Sequence, residues 1–346
     1  MDARIARNRR LLTDLFAGLF PGHAIIMGPP VPDAPHPGDL ACPGTPLIDW
    51  LDRGLREYGL QLQYLEALDD HSVPSARIHT GTQVFAAAFG CPVHIYEDSP
   101  PAAMPLVSTA EEADALQVPS LDAEPLQRCL QYATMLRDRL GPEVPVRVPD
   151  IQSPFDIAAL IWRKEAFYLA LLDDPAAVQR LVGKCQRLLE GFLRAFMAEL
   201  GECNLCHCPN AWAPSDLGCW LSEDEAGAMS VAMFEDFCVP TLTSLSESFG
   251  GIFIHCCATA DHQYGSFRKI PNLRGLNRVF QAPGPRPAIE VFSGQTVLLI
   301  AWMSEAQIAE LLEMALPDTR YLFDMSGLDL ETAQAVHERL RKACGG

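Results

Sequence analysis

The chain has 346 residues, 49% hydrophobic and 20% charged, with a formal net charge of −18. Length and apolar content support a large core, in one big α/β barrel or two ordinary domains, and exclude a disordered or fibrous chain. The acidic balance, without clustered Lys and Arg, excludes nucleic acid and anionic membranes as partners, because both are bound through positive charge.

The first ten residues, Met1-Asp-Ala-Arg-Ile-Ala-Arg-Asn-Arg-Arg10, are basic but lead into an amphipathic helix pattern instead of a signal-peptide core. No apolar run reaches the roughly 18 residues of a membrane span, so the expected location is cytoplasmic. Helical periodicity marks 4–20, 47–68, 82–89, 123–140, 154–172, 175–200, 230–249, 304–316 and 330–343. Short apolar segments at 23–27, 92–96, 144–148, 252–254, 297–301 and 321–323 suit buried parallel strands, with 204–208 and 277–281 as weaker candidates. Eight strands alternating with helices predict a (β/α)8 TIM barrel with an N-terminal helical extension, one domain over residues 1–346. A doubly wound sheet is the alternative, but no G-x-G-x-x-G follows any strand. The proline-rich stretches 28–37 and 100–105 read as loops, and no linker, internal repeat or low-complexity tract interrupts the pattern.

The chemistry concentrates in Phe253-Ile-His-Cys-Cys-Ala-Thr-Ala-Asp261, where an apolar strand ends in His255, Cys256 and Cys257. Alternation along a strand sends His255 and Cys257 to one side, where they can close on a metal such as zinc, and Cys256 to the other, into packing. The plainer alternative is a buried histidine beside two inert core cysteines. The other ten of the twelve cysteines are scattered and read mostly as reduced thiols. In Cys203-Asn-Leu-Cys-His-Cys208 a strand over 204–208 would place Cys206 and Cys208 on one face and His207 on the other. Cys208 is then a substitute metal ligand, against core packing or a local redox pair. The loop 210–224 carries Trp212 and Trp220, expected to wall a substrate pocket, and ends at Asp224, an acid/base candidate or a surface carboxylate beside Glu223 and Glu225. Glu97 and Asp98 follow the 92–96 segment, and Glu97 is expected to reach the substrate.

Several stretches together resemble the uroporphyrinogen decarboxylase superfamily, which includes the cobamide-dependent methyltransferases: Phe85-Ala-Ala-Ala-Phe-Gly-Cys-Pro-Val93, Ser153-Pro-Phe-Asp-Ile-Ala158, Leu172-Asp-Asp-Pro-Ala-Ala-Val178, Ser222-Glu-Asp-Glu-Ala-Gly-Ala-Met-Ser230, then Phe234-Glu-Asp-Phe237, Pro240 and Ile254-His-Cys-Cys257. The resemblance implies a (β/α)8 barrel with its site at the carboxyl ends of the strands. The true decarboxylases carry an R-Q-A-G-R-Y segment after the first strand, whereas this chain has Ile26-Met-Gly-Pro-Pro-Val31 without arginine, so the methyltransferase branch is favoured. That branch carries H-x-C, matched by His255 and Cys257, and a second cysteine near the last strand. Here that region is Leu322-Phe-Asp-Met-Ser-Gly-Leu-Asp329, which offers Asp324, ahead of Asp329, as third metal ligand and catalytic carboxylate. The resulting expectation is a zinc-assisted methyl transfer between a corrinoid, supplied by a partner protein, and a thiol or similar acceptor. The alternatives are a metal-independent decarboxylase or lyase acting on a small carboxylated substrate, with Asp224 or Asp324 as the charged group, and a non-catalytic ligand-binding barrel. A small-molecule substrate and a homodimeric assembly complete the expectation.

Overall fold

The computed structural model describes residues 3–30, 46–97, 99–280 and 282–344. Asp98, Gln281 at the end of an expected strand, and residues 31–37 of the first proline-rich loop lie outside the described residues. The strands are β1 Ala24–Ile26, β2 Val93–His94, β3 Ala102–Ala103, β4 Val146–Arg147, β5 Cys203–Asn204, β6 Cys219–Ser222, β7 Ile252–Cys256, β8 Leu273–Arg278, β9 Val297–Ala301 and β10 Tyr321–Asp324. Six form one parallel sheet in the order β1-β10-β9-β8-β7-β6, and β4 pairs parallel with β5.

Single links close this sheet into a ring. The His71 amide donates to the Ile25 carbonyl at 2.9 Å, Ala76 bridges Val146, and Gln152, further along the chain from β4, bridges Ser222 of β6. The molecule is thus a TIM barrel whose second position is the segment around residues 71–76, with β5 beside the foot of β4. Three expectations about the strands need correction. The 92–96 segment is not a ring strand, because β2 folds back on β3 as an antiparallel ribbon. The true second position contains Pro74 and alternating polar residues, which hide it from a hydropathy search. β6 lies inside what reads as one long loop, and β8 begins at Leu273, ahead of the expected 277.

Helices Leu47–Leu68, Pro175–Leu200 and Leu330–Ala343 keep their expected bounds. The expected 230–249 helix is two, Val231–Phe237 and Val239–Phe249, with Pro240 in the first turn of the second. Proline lacks an amide proton and clashes with the preceding turn, so it starts a helix but does not continue one. The 154–172 helix also divides, into Pro154–Ile161 and Lys164–Asp173, where Trp162 turns extended to bridge Val107.

Strand alternation sorts the core into two layers. Ala24, Ile26, Trp220, Phe253, Val297, Leu299 and Leu322 face the barrel interior, together with Leu12, Leu15 and Phe16 of the amino-terminal helix Ala3–Ala17. Phe16 meets Phe253 edge-on at 5.0 Å, and Trp220 stacks on Phe253 at 4.7 Å. The extension therefore plugs the foot of the barrel, each such side chain contributing about 1.5–3 kcal/mol by burial. The alternate residues, among them Ile252, Ile254, Cys256, Tyr321 and Phe323, pack against the outer helices.

At the foot of β6 and β7 two chain segments pass without side chains between them. A Cβ on Gly218 would lie 2.3 Å from the Gly251 carbonyl carbon, and one on Gly251 would lie 2.2 Å from the Leu217 carbonyl oxygen. Gly251→Ala is expected to cost about 2 kcal/mol or more through forced backbone shifts. Gly191→Ala, inside helix Pro175–Leu200 with open space around it, is expected to gain about 0.5–1 kcal/mol. Urea midpoints of the two variants, moving in opposite directions, check this.

The β1 seam depends on a neutral imidazole, since the Ile25 amide donates to His71 Nδ1 at 3.0 Å. Burial, helped by the positive charges of Arg7 and His337, pushes His71 down to about 4 from 6.5. A histidine with a depressed folded pKa loses stability as pH falls from 6.5 toward 4. The neighbouring Asp70, raised by burial to about 6 from 3.8, works the other way. It is common to the wild type and to His71→Asn, which keeps an acceptor at the same place. The wild type is expected to lose more stability than His71→Asn between pH 7 and pH 4.5, measured by urea unfolding; equal losses would contradict this role.

Candidate metal centre at the barrel mouth

β7 delivers His255 to the interior face and Cys256 to the helix-facing layer, with Cys257 one residue past the strand end and exposed. The His255 ring is 7% exposed, and its Nδ1 lies 2.6 Å from Asn277 Oδ1. Asn277 Nδ2 donates to the Leu299 carbonyl at 2.8 Å, which fixes the amide so that its oxygen faces the imidazole. Nδ1 therefore carries the proton and Nε2 presents its lone pair to the mouth.

The parallel register pairs Ser222 with His255, and the Glu223 amide continues it by donating to the His255 carbonyl at 2.8 Å. Asp224 then stands beside Cys257, whose amide donates to Asp224 Oδ1 at 2.7 Å. From behind, the buried Asp156 carboxylate accepts the amides of Asp224 at 2.7 Å and Glu225 at 3.2 Å. Glu225 is bound to Lys164 and Tyr168. Burial first, then the neighbouring charges of Glu223 and Asp224, drives Asp156 well above the usual carboxylate range, and burial likewise raises Glu223. Two acids buried this closely cannot both ionise.

Asp224, His255 and Cys257 bring one donor atom each to within 4.8 Å of the others. Tetrahedral zinc needs its ligand atoms about 3.3–3.8 Å apart, given bonds of about 2.0–2.3 Å. The three donors need to close by roughly an ångström, and the Cys257 side chain is exposed just past the strand end. One imidazole, one thiol and one carboxylate are ordinary zinc donors, so the set fits the metal. Without a cation, burial and then the charge of Asp224 push the Cys257 thiol up to about 11. A bound metal reverses that bias.

The third donor in this group is Asp224, whereas Asp324 was expected. Asp324 does face the interior from the end of β10, but its Oδ2 accepts the Asn210 amide at 2.8 Å and its Oδ1 the Ser326 amide at 3.0 Å. Cys208 stands outside the group as well. The strand ends at Asn204 instead of running to 208, so alternation does not sort His207 from Cys208. Cys208 shares its surroundings with Cys206, Asp150, Asp324 and Arg77. His207 Nε2 contacts Ser222 Oγ at 3.0 Å. Neither expected tryptophan walls an open pocket: Trp220 is 1% exposed and stacked on Phe253, and Trp212 is 6% exposed beneath the Arg9 guanidinium. Glu97 is exposed in the connection between β2 and β3, outside the ring.

Sequence reasoning misses Asn277, Asp156 and Trp302. Trp302 directly follows β9, is 66% exposed, and holds a left-handed φ of 59° with its ring edge-on to His255 at 6.1 Å. A bulky residue in that conformation is strained. Its place just past a strand end is a signal the sequence does carry, and the same rule finds His255.

Over its whole length the fold is that of a solved methyltransferase from Methanosarcina mazei, with a TM-score of 0.70 at 15% identity, covering 96% of this chain and 99% of that one. The metallated homocysteine methyltransferase MmuM from Escherichia coli aligns over 75% of this chain and 94% of that one, at 12% identity and a TM-score of 0.27, too low to inform the comparison. No curated protein matches the sequence. The family model for uroporphyrinogen decarboxylase (URO-D) matches residues 60–276, a span that holds the second ring position, β4, Asp156, Asp224, His255 and Cys257, and the chain belongs to that family.

Proposed function

We propose that this barrel is a zinc-dependent methyltransferase whose metal is held by Asp224, His255 and Cys257, and whose methyl group passes between a corrinoid on a partner protein and a thiol or similar acceptor. The observation that carries the reading is the convergence of three donors of zinc-binding type, from two adjacent strand ends, with the imidazole already turned by Asn277 to offer Nε2. Methyl transfer is also the activity named for the Methanosarcina mazei protein that shares the fold. Zinc, when bound, lowers the pKa of a coordinated thiol and keeps it as a nucleophilic thiolate.

The protein's own groups have definite tasks in this reading. Asn277 holds the His255 proton on Nδ1, so Nε2 is the coordinating atom. The Cys257 amide orients Asp224, and Asp156 anchors the backbone on which Asp224 sits. Trp302 stands beside the His255 ring at 6.1 Å between centroids, at the exposed rim of the site. Residues 26–30 supply no arginine to the first loop, which removes the expected clamp for a polycarboxylated tetrapyrrole and disfavours the decarboxylase alternative.

Protein prepared without chelator, or reconstituted, is expected to retain one equivalent of zinc by elemental analysis, and His255→Ala and Cys257→Ala to lose it. Failure of the unmodified protein to retain zinc in either preparation would overturn the mechanism. Asn277→Leu leaves all three donors in place but frees the imidazole, and is expected to weaken zinc binding by about 10–100-fold in competition with a chelator. An unchanged affinity would show that the Asn277 contact does not tune the metal.

A further inference from the structure

A second feature of the mouth is a small cavity bounded by Met27, Pro30, Ser72, Arg77, Arg147 and Asn210, with a volume of about 60 Å³. That is room for roughly four waters, taking about 15 Å³ of such volume for each, or for one compact polar head group. Val146 packs against the outer helices and Arg147 is 4% exposed, directed into the barrel. Its Nη1 donates to Asn210 Oδ1 at 2.9 Å, and its buried Nε has no partner.

Neither guanidinium has a carboxylate at ion-pairing distance among the described residues. The nearby acids are committed elsewhere. Asp324 accepts the amides of Asn210 and Ser326. Glu57, which also lines the cavity, is held by Arg53 Nε at 3.2 Å and His79 Nε2 at 2.6 Å and feels the Arg77 charge without pairing with it. Burial, and the charge of Arg77 beside it, lowers Arg147 to about 10, so it remains a cation at neutral pH. A guanidinium buried without a counter-ion costs several kcal/mol, and here the buried Arg147 and the half-buried Arg77 line one small space. The cavity and the metal centre share the mouth: Asn210, which lines the cavity, donates its amide to Asp324 at the end of β10 at 2.8 Å, and the nearby His207 contacts Ser222, the register partner of His255, at 3.0 Å.

We propose that Arg77 and Arg147 form an anion subsite that binds the carboxylate of a small substrate, whose other end reaches the Asp224, His255 and Cys257 group. A planar carboxylate matches the fork of a guanidinium and supplies the missing counter-charge. The identity of the reacting end rests on the methyl-transfer reading; the subsite itself does not.

Chelator-treated, metal-free protein separates the two. Titration calorimetry at low salt compares propionate with its uncharged analogue propionamide. Propionate is expected to bind and propionamide not to bind. Arg77→Gln and Arg147→Met are each expected to weaken propionate binding by about tenfold or more, the loss typical of one charge-assisted hydrogen bond, whereas Cys257→Ala leaves it unchanged. If Arg147→Met fails to fold, the half-buried Arg77→Gln decides. Equal binding of propionate and propionamide, or arginine variants that bind propionate like the wild type, would overturn the subsite. So would propionate binding that appears only with zinc and disappears in Cys257→Ala, which would leave the metal reading standing. Loss of zinc retention with arginine-dependent propionate binding intact would reject the metal reading and keep the subsite.

Discussion

The parallel register of β6 on β7 is the constraint on which the rest of the site depends. Pairing Ser222 with His255 leaves the two chains side by side as they emerge from the sheet, so that the Glu223 amide meets the His255 carbonyl and the Cys257 amide meets Asp224. The first is a backbone bond and the second ties the Asp224 carboxylate to the Cys257 backbone, so the donors are placed without one donor side chain having to find another. Asp156 holds the same turn from the opposite side through two amides. A slip of one residue would turn His255 toward the helices and bring Cys256 inward, reversing every side chain on the strand.

The electrostatics of the mouth differ from those of the chain as a whole. The formal charge of −18 counts every acid as ionised, but burial raises Asp150 to about 6 and pushes Asp156 and Glu223 upward too. Arg147 meanwhile stays charged in the interior. Desolvation thus penalises the closely packed acids Asp156 and Glu223, while the buried Arg147 guanidinium keeps its proton. No helix among the described residues is long and apolar enough to cross a membrane.

Much of the barrel is legible in the sequence because its central strands are apolar runs: β7, β9 and β10 all lie where periodicity puts them. The ring is less legible where pairing rests on single bridges. The second position, with Pro74 and mixed polarity, carries no strand signal, and the more apolar 92–96 segment takes its place in a sequence reading. At the site, H-x-C is readable because both residues belong to one strand end. Choosing Asp224 over Asp324 as their neighbour is not, because both follow apolar strands and only the order of strands around the ring separates them. Arg147 is hidden for a related reason: on a two-residue strand, an inward arginine looks like any surface charge.

The docking of Phe16 on Phe253 also sets the timing of folding. Helix Ala3–Ala17 leaves the ribosome long before the strand it covers, with roughly 240 residues of chain still to come. At about 5–20 residues per second that delay is on the order of tens of seconds. During that time Leu12, Leu15 and Phe16, which end up fully enclosed, have no barrel to enter. The nascent chain carries an uncovered apolar helix face through most of its synthesis, and the barrel interior is sealed only after β7 has joined its neighbours. A closing contact of such long sequence separation forms slowly, so amino-terminal substitutions should lower the yield of folded protein as well as its melting temperature.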